Sequence, residues 1–355
     1  MKKRVYTRRE FVITGALGTL TIASGMKIPS AKPVVSVVRI RNGDTGQAVR
    51  DAIDLLGGIG KVTAGKKRIM LKPNLVGPDP RATTKPDVIR ALAEMMLGEG
   101  KEVCIAEGSA AAPGFNISEE GVFYTKDPDL LDPMQQYVFD QLGYTELAAD
   151  LKVPLINLHT GEMVTIDVPE PMVYDQITVN RALSEVDMLC SVPMMKTHVL
   201  ATVTLGMKNL IGLYPGQAYC TVRSCVHNDA SAKGSPGIAF EILDMVKACT
   251  PGLVVIDGSV AMEGNGPSEG DLVDARLIIA GTHPLATDMV AADLMGFHPE
   301  EVPLFRTAIQ SGMRPANLGE IEVLGEQPGK ARMAFRKPDI VPWPQVSSWF
   351  GAKQV

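Results

Sequence analysis

The chain alternates short β-branched runs with longer stretches whose apolar residues recur every three to four positions. "VVSVVRI", "KRIMLKPN", "EVCIAEGS" and "VPLINL" have the length and composition of buried strands. Between them, "TGQAVRDAIDLLGGI", "PDVIRALAEMMLGEG" and "DPMQQYVFDQLGYTELAADL" carry helical spacing. The second half continues with "DMLCSVP", the helix "IAFEILDMVKA", then "LVVIDGS", "ARLIIAG", the helix "ATDMVAADLMG" and a last strand "EIEVLG". Strands separated by helices pair in parallel through right-handed crossovers. The expected fold is therefore α/β: a mostly parallel open sheet with flanking helices over 32–326. It is either one domain or two lobes, 32–160 and 183–326. Within 161–182, "EMVTIDVP" and "DQITVNR" alternate polar and apolar residues and read as an inserted, half-exposed β-hairpin. The stretch 327–355, rich in Pro and basic residues and holding Trp343 and Trp349, reads as a tail wrapped over the surface.

The first 31 residues break this pattern. Lys2, Lys3, Arg4, Arg8 and Arg9 precede a modest apolar run from Phe11 to about Ser24, the order of an export signal. "TRREFV" is similar to a twin-arginine signal, a receptor-read address. The run is shorter than the ~20 apolar residues a bilayer span needs, and Gly15 and Gly18 interrupt it. A periplasmic or otherwise exported destination is expected. "PSA", ending at Ala31, is a poor cleavage site, so a form tethered to the membrane by an uncleaved signal stays open. That route is known for carrying folded proteins with a cofactor already installed, which favours a bound cofactor without naming one.

Composition narrows the partners. Apolar residues at 45% with aromatics at 5% require a core of Val, Ile, Leu, Ala and Met. A formal net charge of −5 leaves no basic footprint, so nucleic acid is not an expected partner.

In an open α/β sheet, ligands bind beyond the carboxyl ends of the strands. Those ends carry Lys72 and Asn74, Glu107 and Ser109, Lys196 and His198, and Asp257. "DGSVAMEGNGPSEG" follows, with Glu263, Asn265 and glycines that include Gly264 and Gly266. Glycine-rich backbone can form an anion-binding nest of amides; the alternative is a long surface turn. The run is neither a dinucleotide fingerprint nor a P-loop. A helix over 201–213 would put Val203, Met207, Leu210 and Ile211 on one face and Thr204 and Lys208 on another. Lys208 could then face the strand ends, or simply snorkel to solvent.

"MLKPNL", "TKPDVIRALAEMM", "VPMMKTHVLATVTLGMKNLIGLYPG", "VIDGSVAMEGNGPSEG" and "IAGTHPLATDMVAADLMG" occur in this order. Together they resemble domain-of-unknown-function family 362 over roughly 34–324. The matched positions are Lys72, Asn74, Lys196, His198, Lys208, Asn209, Asp257, Glu263, Gly264, Gly266 and Asp288. Family members often sit beside ferredoxin-like iron–sulfur modules. This chain has no C-x-x-C-x-x-C run, so no ferredoxin-type iron–sulfur cluster is expected on it.

Among five cysteines, Cys104 and Cys190 fall inside strand patterns and read as small core hydrophobes. "CTVRSCVHND" places Cys220, Cys225, His227 and Asp229 close together on an expected loop. A disulfide between Cys220 and Cys225, two free thiols, or a metal site drawing on His227, Asp229 and Asp288 all remain open.

These residues define the expected chemistry. Lys196, His198 and Glu263 are the candidate catalytic groups. Lys72, Asn74, Glu107, Lys208, Asn209, Asp257, Gly264 and Gly266 are the candidate ligand contacts. The leading reading is an exported enzyme acting on a phosphate- or carboxylate-bearing small molecule, with metal assistance as an option. The alternative is a non-catalytic cofactor-binding or maturation protein serving a periplasmic redox partner.

Overall fold

Strict alternation within the strands splits the apolar residues between two faces of one sheet. In the computed structural model, which describes residues 31–119 and 121–348, Ile69 and Leu71 join one core cluster while Met70 between them joins another. Val254 and Ile256 divide in the same way from Leu253 and Val255. Helices Thr45–Leu55, Pro86–Gly98, Pro128–Gln141 and Tyr144–Leu151 cover one face, and Ala239–Ala248, Pro284–Leu294 and Pro303–Gln310 cover the other. The result is a three-layer α/β/α arrangement. The signal-like segment and Trp349 lie outside the described residues. No helix among those described is long and apolar enough to cross a membrane.

The strands are β1 (Val34–Arg39), β2 (Arg68–Pro73), β3 (Glu102–Glu107), β4 (Ile117–Ser118), β5 (Gly121–Val122), β6 (Leu155–Asn157), β7 (Met163–Asp167) and β8 (Gln176–Asn180). They continue with β9 (Met188–Val192), β10 (Met194–His198), β11 (Thr202–Thr204), β12 (Leu253–Glu263), β13 (Asp271–Val273), β14 (Leu277–Gly281) and β15 (Glu322–Gly325). The main sheet runs β15-β1-β14-β12-β9-β2-β3-β6, with β10, β11 and β13 attached beside β12. It takes strands from both 32–160 and 183–326, and β1 lies between β14 and β15. Pairing is parallel from β12 through β9, β2 and β3 to β6; β14 is antiparallel to both neighbours. β7 and β8 form a separate antiparallel hairpin, Met163 opposite Asn180. Its loop is held by buried Asp244, whose carboxylate accepts from the backbone N–H groups of Met172, Val173 and Tyr174.

Local chemistry sets the helix boundaries. Asp44 caps Thr45–Leu55 by accepting from the Gln47 N–H at 2.8 Å, a contact worth ~1 kcal/mol. Pro86 opens the next helix at its first turn, where a missing N–H costs nothing. The single helical pattern read across 132–151 is in fact two helices. Gly143, at φ 73°, adopts the left-handed conformation that ends the first and starts the second.

The order of connections positions the site. From β2 the chain moves outward through β3 to β6, then returns to the other side of β2 with β9 and continues to β12. The connections therefore diverge between β2 and β9. In open α/β sheets this switch point opens the crevice that ligands use.

Candidate functional site

The predicted helix over 201–213 does not form. Thr202, Val203 and Thr204 are β-branched, and they instead return antiparallel along β10, with Lys196 opposite Thr204 and His198 opposite Thr202. Lys208–Leu213 is a separate 3-10 turn. Gly206 joins the two, and a Cβ there would lie 2.5 Å from Val254 and 2.8 Å from Asp288. Asp288 fixes this joint by accepting from the Gly206 and Met207 N–H groups at 2.7 and 2.8 Å. Burial pushes its carboxyl up to about 7. Asp288 is thus a clamp for the segment carrying Lys208, not part of a metal set.

At the switch point, Asn209 ties β2 to β9. Its Nδ2 donates to the Lys72 carbonyl and to Ser191 Oγ, each at 3.1 Å, while its Oδ1 accepts from Lys72 Nζ at 3.2 Å. Lys72 is fully buried and paired with the buried Glu107 carboxylate. Arg223, missed in the sequence reading, completes this layer. Its guanidinium is buried and donates to the carbonyls of Gly108, Ser109, Ile211 and Gly212. Burial lowers it to about 10, opposed by Glu107. His159, also missed, donates from Nε2 to the Ser109 carbonyl at 2.7 Å and accepts at Nδ1 from the Gly216 N–H at 3.0 Å. This fixes a neutral tautomer, in keeping with burial driving its basicity well down.

Lys208 stands against this layer. It is 8% exposed, and among the described residues its ammonium has no hydrogen-bond or ion-pair partner. Burial first, then Lys72 and Arg223, lower it to about 7. Lys196 is buried and donates to the Ala82 and Pro267 carbonyls at 2.5 and 3.0 Å. Burial, Lys208 and Lys85 hold it well below the ordinary lysine range. His198, also buried, accepts at Nδ1 from the Leu200 N–H at 3.0 Å, so its proton sits on Nε2. Burial, then Lys208 and Lys196, depress it well below its ordinary value. Asn74 Oδ1, buried just past β2, and Thr204 Oγ1, buried opposite Lys196, find no hydrogen-bond partner among the described residues.

The remaining candidates are spent elsewhere. Glu263 accepts from the Arg336 N–H of the tail at 2.9 Å. The glycine-rich run is not an open nest. β12 extends through Glu263, the Gly264 N–H donates to the Arg336 carbonyl, and the Gly266 N–H donates to the Gly264 carbonyl. These glycines serve close packing: a Cβ on Gly266 would sit 2.2 Å from the Thr197 carbonyl oxygen. Asp257 accepts from the Lys85 N–H at the start of helix Pro86–Gly98 and from Ser259. His227 pairs with buried Glu241 at 2.9 Å, and exposed Asp229 accepts from the Tyr174 hydroxyl at 2.5 Å. His227, Asp229 and Asp288 are therefore not brought together, and no cluster of three such ligands occurs among the described residues. Cys220 and Cys225 are free rather than bridged, and Cys225 lies in helix Ser224–Ala232 instead of on a loop.

An open α/β sheet with a layer of buried cations packed at its switch point is the class of protein this geometry defines. The chain belongs to the family described as Domain of unknown function (DUF362), whose sequence model matches residues 69–293. It is 25% identical over 287 residues to a thylakoid-associated protein of Synechocystis sp., covering 79% of this chain and 80% of that one. The lactate racemase apoprotein of Thermoanaerobacterium thermosaccharolyticum is similar at 15% identity and a TM-score of 0.44. That match covers 75% of this chain, and the chain spans 57% of that structure's length.

Proposed function

We propose that this protein is an exported enzyme that binds a phosphate- or carboxylate-bearing small molecule at the switch point between β2 and β9 and performs acid–base chemistry on it. One observation carries this reading. Lys72, Lys208 and Arg223 are buried around one carboxylate, Glu107, Lys196 lies buried next to Lys208, and Lys208 has no partner of its own among the described residues. Uncompensated buried cations are costly, and an anionic ligand would answer them. His198 offers a neutral Nε2–H donor, and Lys208 exchanges a proton near neutrality. The twin-arginine pair, Arg8 and Arg9, supports the exported destination.

Calorimetric titration with sulfate, pyrophosphate and malonate tests the binding half. Lys208→Ala is expected to weaken binding at least tenfold and to leave the melting temperature within a few degrees. Unchanged affinity for every anion that the wild type binds would remove the proposal. Incubation with a metabolite extract, followed by mass spectrometry, tests the enzymatic half. A consumed compound supports catalysis, whereas one retained unreacted supports a cofactor carrier or maturation protein.

A further inference from the structure

We infer that residues 337–342 of the C-terminal tail are a gate over the turn that carries His198, and that its opening admits small molecules to the Lys196–His198 end of the site. What passes through rests on the function proposed above; the opening itself does not. Burial makes an entrance necessary. Lys196 and Thr204 are fully buried and His198 is 5% exposed. This closed arrangement leaves Thr204 Oγ1 and Asn74 Oδ1 without hydrogen-bond partners among the described residues. Groups that meet a ligand from solvent must be uncovered, and the segment covering them must move.

The segments around the His198 turn are not equally free to move. Toward the end of β12 the packing is tight. Thr197 Oγ1 donates to the Gly264 carbonyl at 2.7 Å, and the Val199 N–H donates to the Gly266 carbonyl at 3.0 Å. A Cβ on Gly237 would sit 2.5 Å from the Leu200 carbonyl oxygen. The tail meets the same turn while belonging to no helix or strand between 332 and 342.

The root of the tail is fixed. The Met333 and Phe335 N–H groups donate to the Leu294 and Met295 carbonyls at 2.7 and 3.0 Å, and Arg336 is tied to Glu263 and Gly264. Beyond the root, Pro338 is buried while Lys337, Asp339, Ile340 and Pro342 are exposed. Lys337 pairs with Glu301 in the open, a weak kind of contact. Asp339 and Asn265 exchange two exposed hydrogen bonds, at 2.9 and 3.0 Å. The Val341 N–H reaches the Val199 carbonyl, one residue from His198, at 2.9 Å.

Trp343 latches the far end. It is buried and its ring lies on His227, with centroids 4.6 Å apart, while its indole N–H donates to exposed Asn228 at 2.7 Å. A fixed root, an exposed span and a single buried ring are the parts of a hinged arm. Withdrawing the ring frees the span, and the Val341–Val199 contact then parts beside His198. Such an element opens at a far lower free energy than the sheet beneath it.

The test modifies the native full chain with diethyl pyrocarbonate and follows each histidine by peptide mass spectrometry. Trp343→Ala should speed labelling of His198 at least tenfold, and Asn265→Ala, a change at an exposed position that keeps the fold, at least threefold. His159, fully buried in the Arg223 layer, should stay protected in both, and exposed His298 calibrates the reagent. In the wild type, the amides of 337–342 should exchange hydrogen at least a hundredfold faster than those of helix Pro284–Leu294. An unchanged His198 rate in both variants, a rise that His159 shares in both, or tail amides as slow as that helix would overturn the gate. Neither measurement uses an anionic ligand, so failure here is distinct from failure of the proposed function.

Discussion

Lys72 and Glu107 show how much one residue's meaning depends on its partner. At a strand end, either could be an ordinary solvated charge; buried together, each is the condition for the other. Burial lowers Lys72 and raises Glu107, while their pairing opposes both shifts. Glu107→Gln leaves Lys72 and Arg223 facing no carboxylate and is expected to cost about 3–5 kcal/mol. Urea denaturation measures the loss, and adding Lys72→Met should recover part of it if the two residues are coupled.

Lys208 gives the pH dependence. Its folded value, about 7, lies below the ordinary lysine value of 10.5, so the cationic form dominates only below about pH 7. Affinity for sulfate, which does not itself titrate in this range, should be level below pH 7 and fall as pH rises above it. Lys208→Met should abolish that slope, as read by calorimetry across pH 6 to 9. A slope that persists in the variant would assign the titration to another group.

At the scale of elements, the 3-10 turn Lys208–Leu213 closes over the switch point. It lays backbone directly on the ion pair: a Cβ on Gly212 would meet Glu107 Oε1 and Lys72 Nζ, each at 2.7 Å. Gly212→Ala is therefore expected to destabilise by about 1–3 kcal/mol through overpacking and to weaken anion binding with it. Gly98→Ala is the control. That position is open, with nothing within 4 Å of the added carbon, and the change should shift the melting temperature by no more than a degree or two. Strand and helix positions were legible because burial on a sheet face or helix stripe imposes a period on the sequence. The 196–204 hairpin was not, because a short apolar run with threonines has no period that separates it from a helix.

For the whole molecule, the C-terminal tail is a strap. The Val341 N–H donates to the Val199 carbonyl beside His198, and Trp343 stacks near His227 while its indole N–H donates to Asn228 at 2.7 Å. Glu263 is occupied because this strap crosses it. At the other end, replacing Arg8 and Arg9 by lysine is expected to stop export, followed by cell fractionation. Unchanged accumulation outside the cytoplasm would show that the pair is not read.

Hydrophobic periodicity by itself determined the α/β class, the order of most strands and helices, and the strand ends that bear Lys72, Glu107, Lys196 and His198. It did so because those features are repeated along the chain and follow from burying one face at a time. Tertiary structure alone decided which strand ends become neighbours. It drew Lys208 and Arg223 into one layer, gave Glu263, Asp257 and Asp288 to backbone amides, and left Lys208 without a partner among the described residues. Whether a charge is compensated depends on groups far apart in sequence, Glu107 with Lys72 and Asp288 with Gly206. No local pattern encodes that balance.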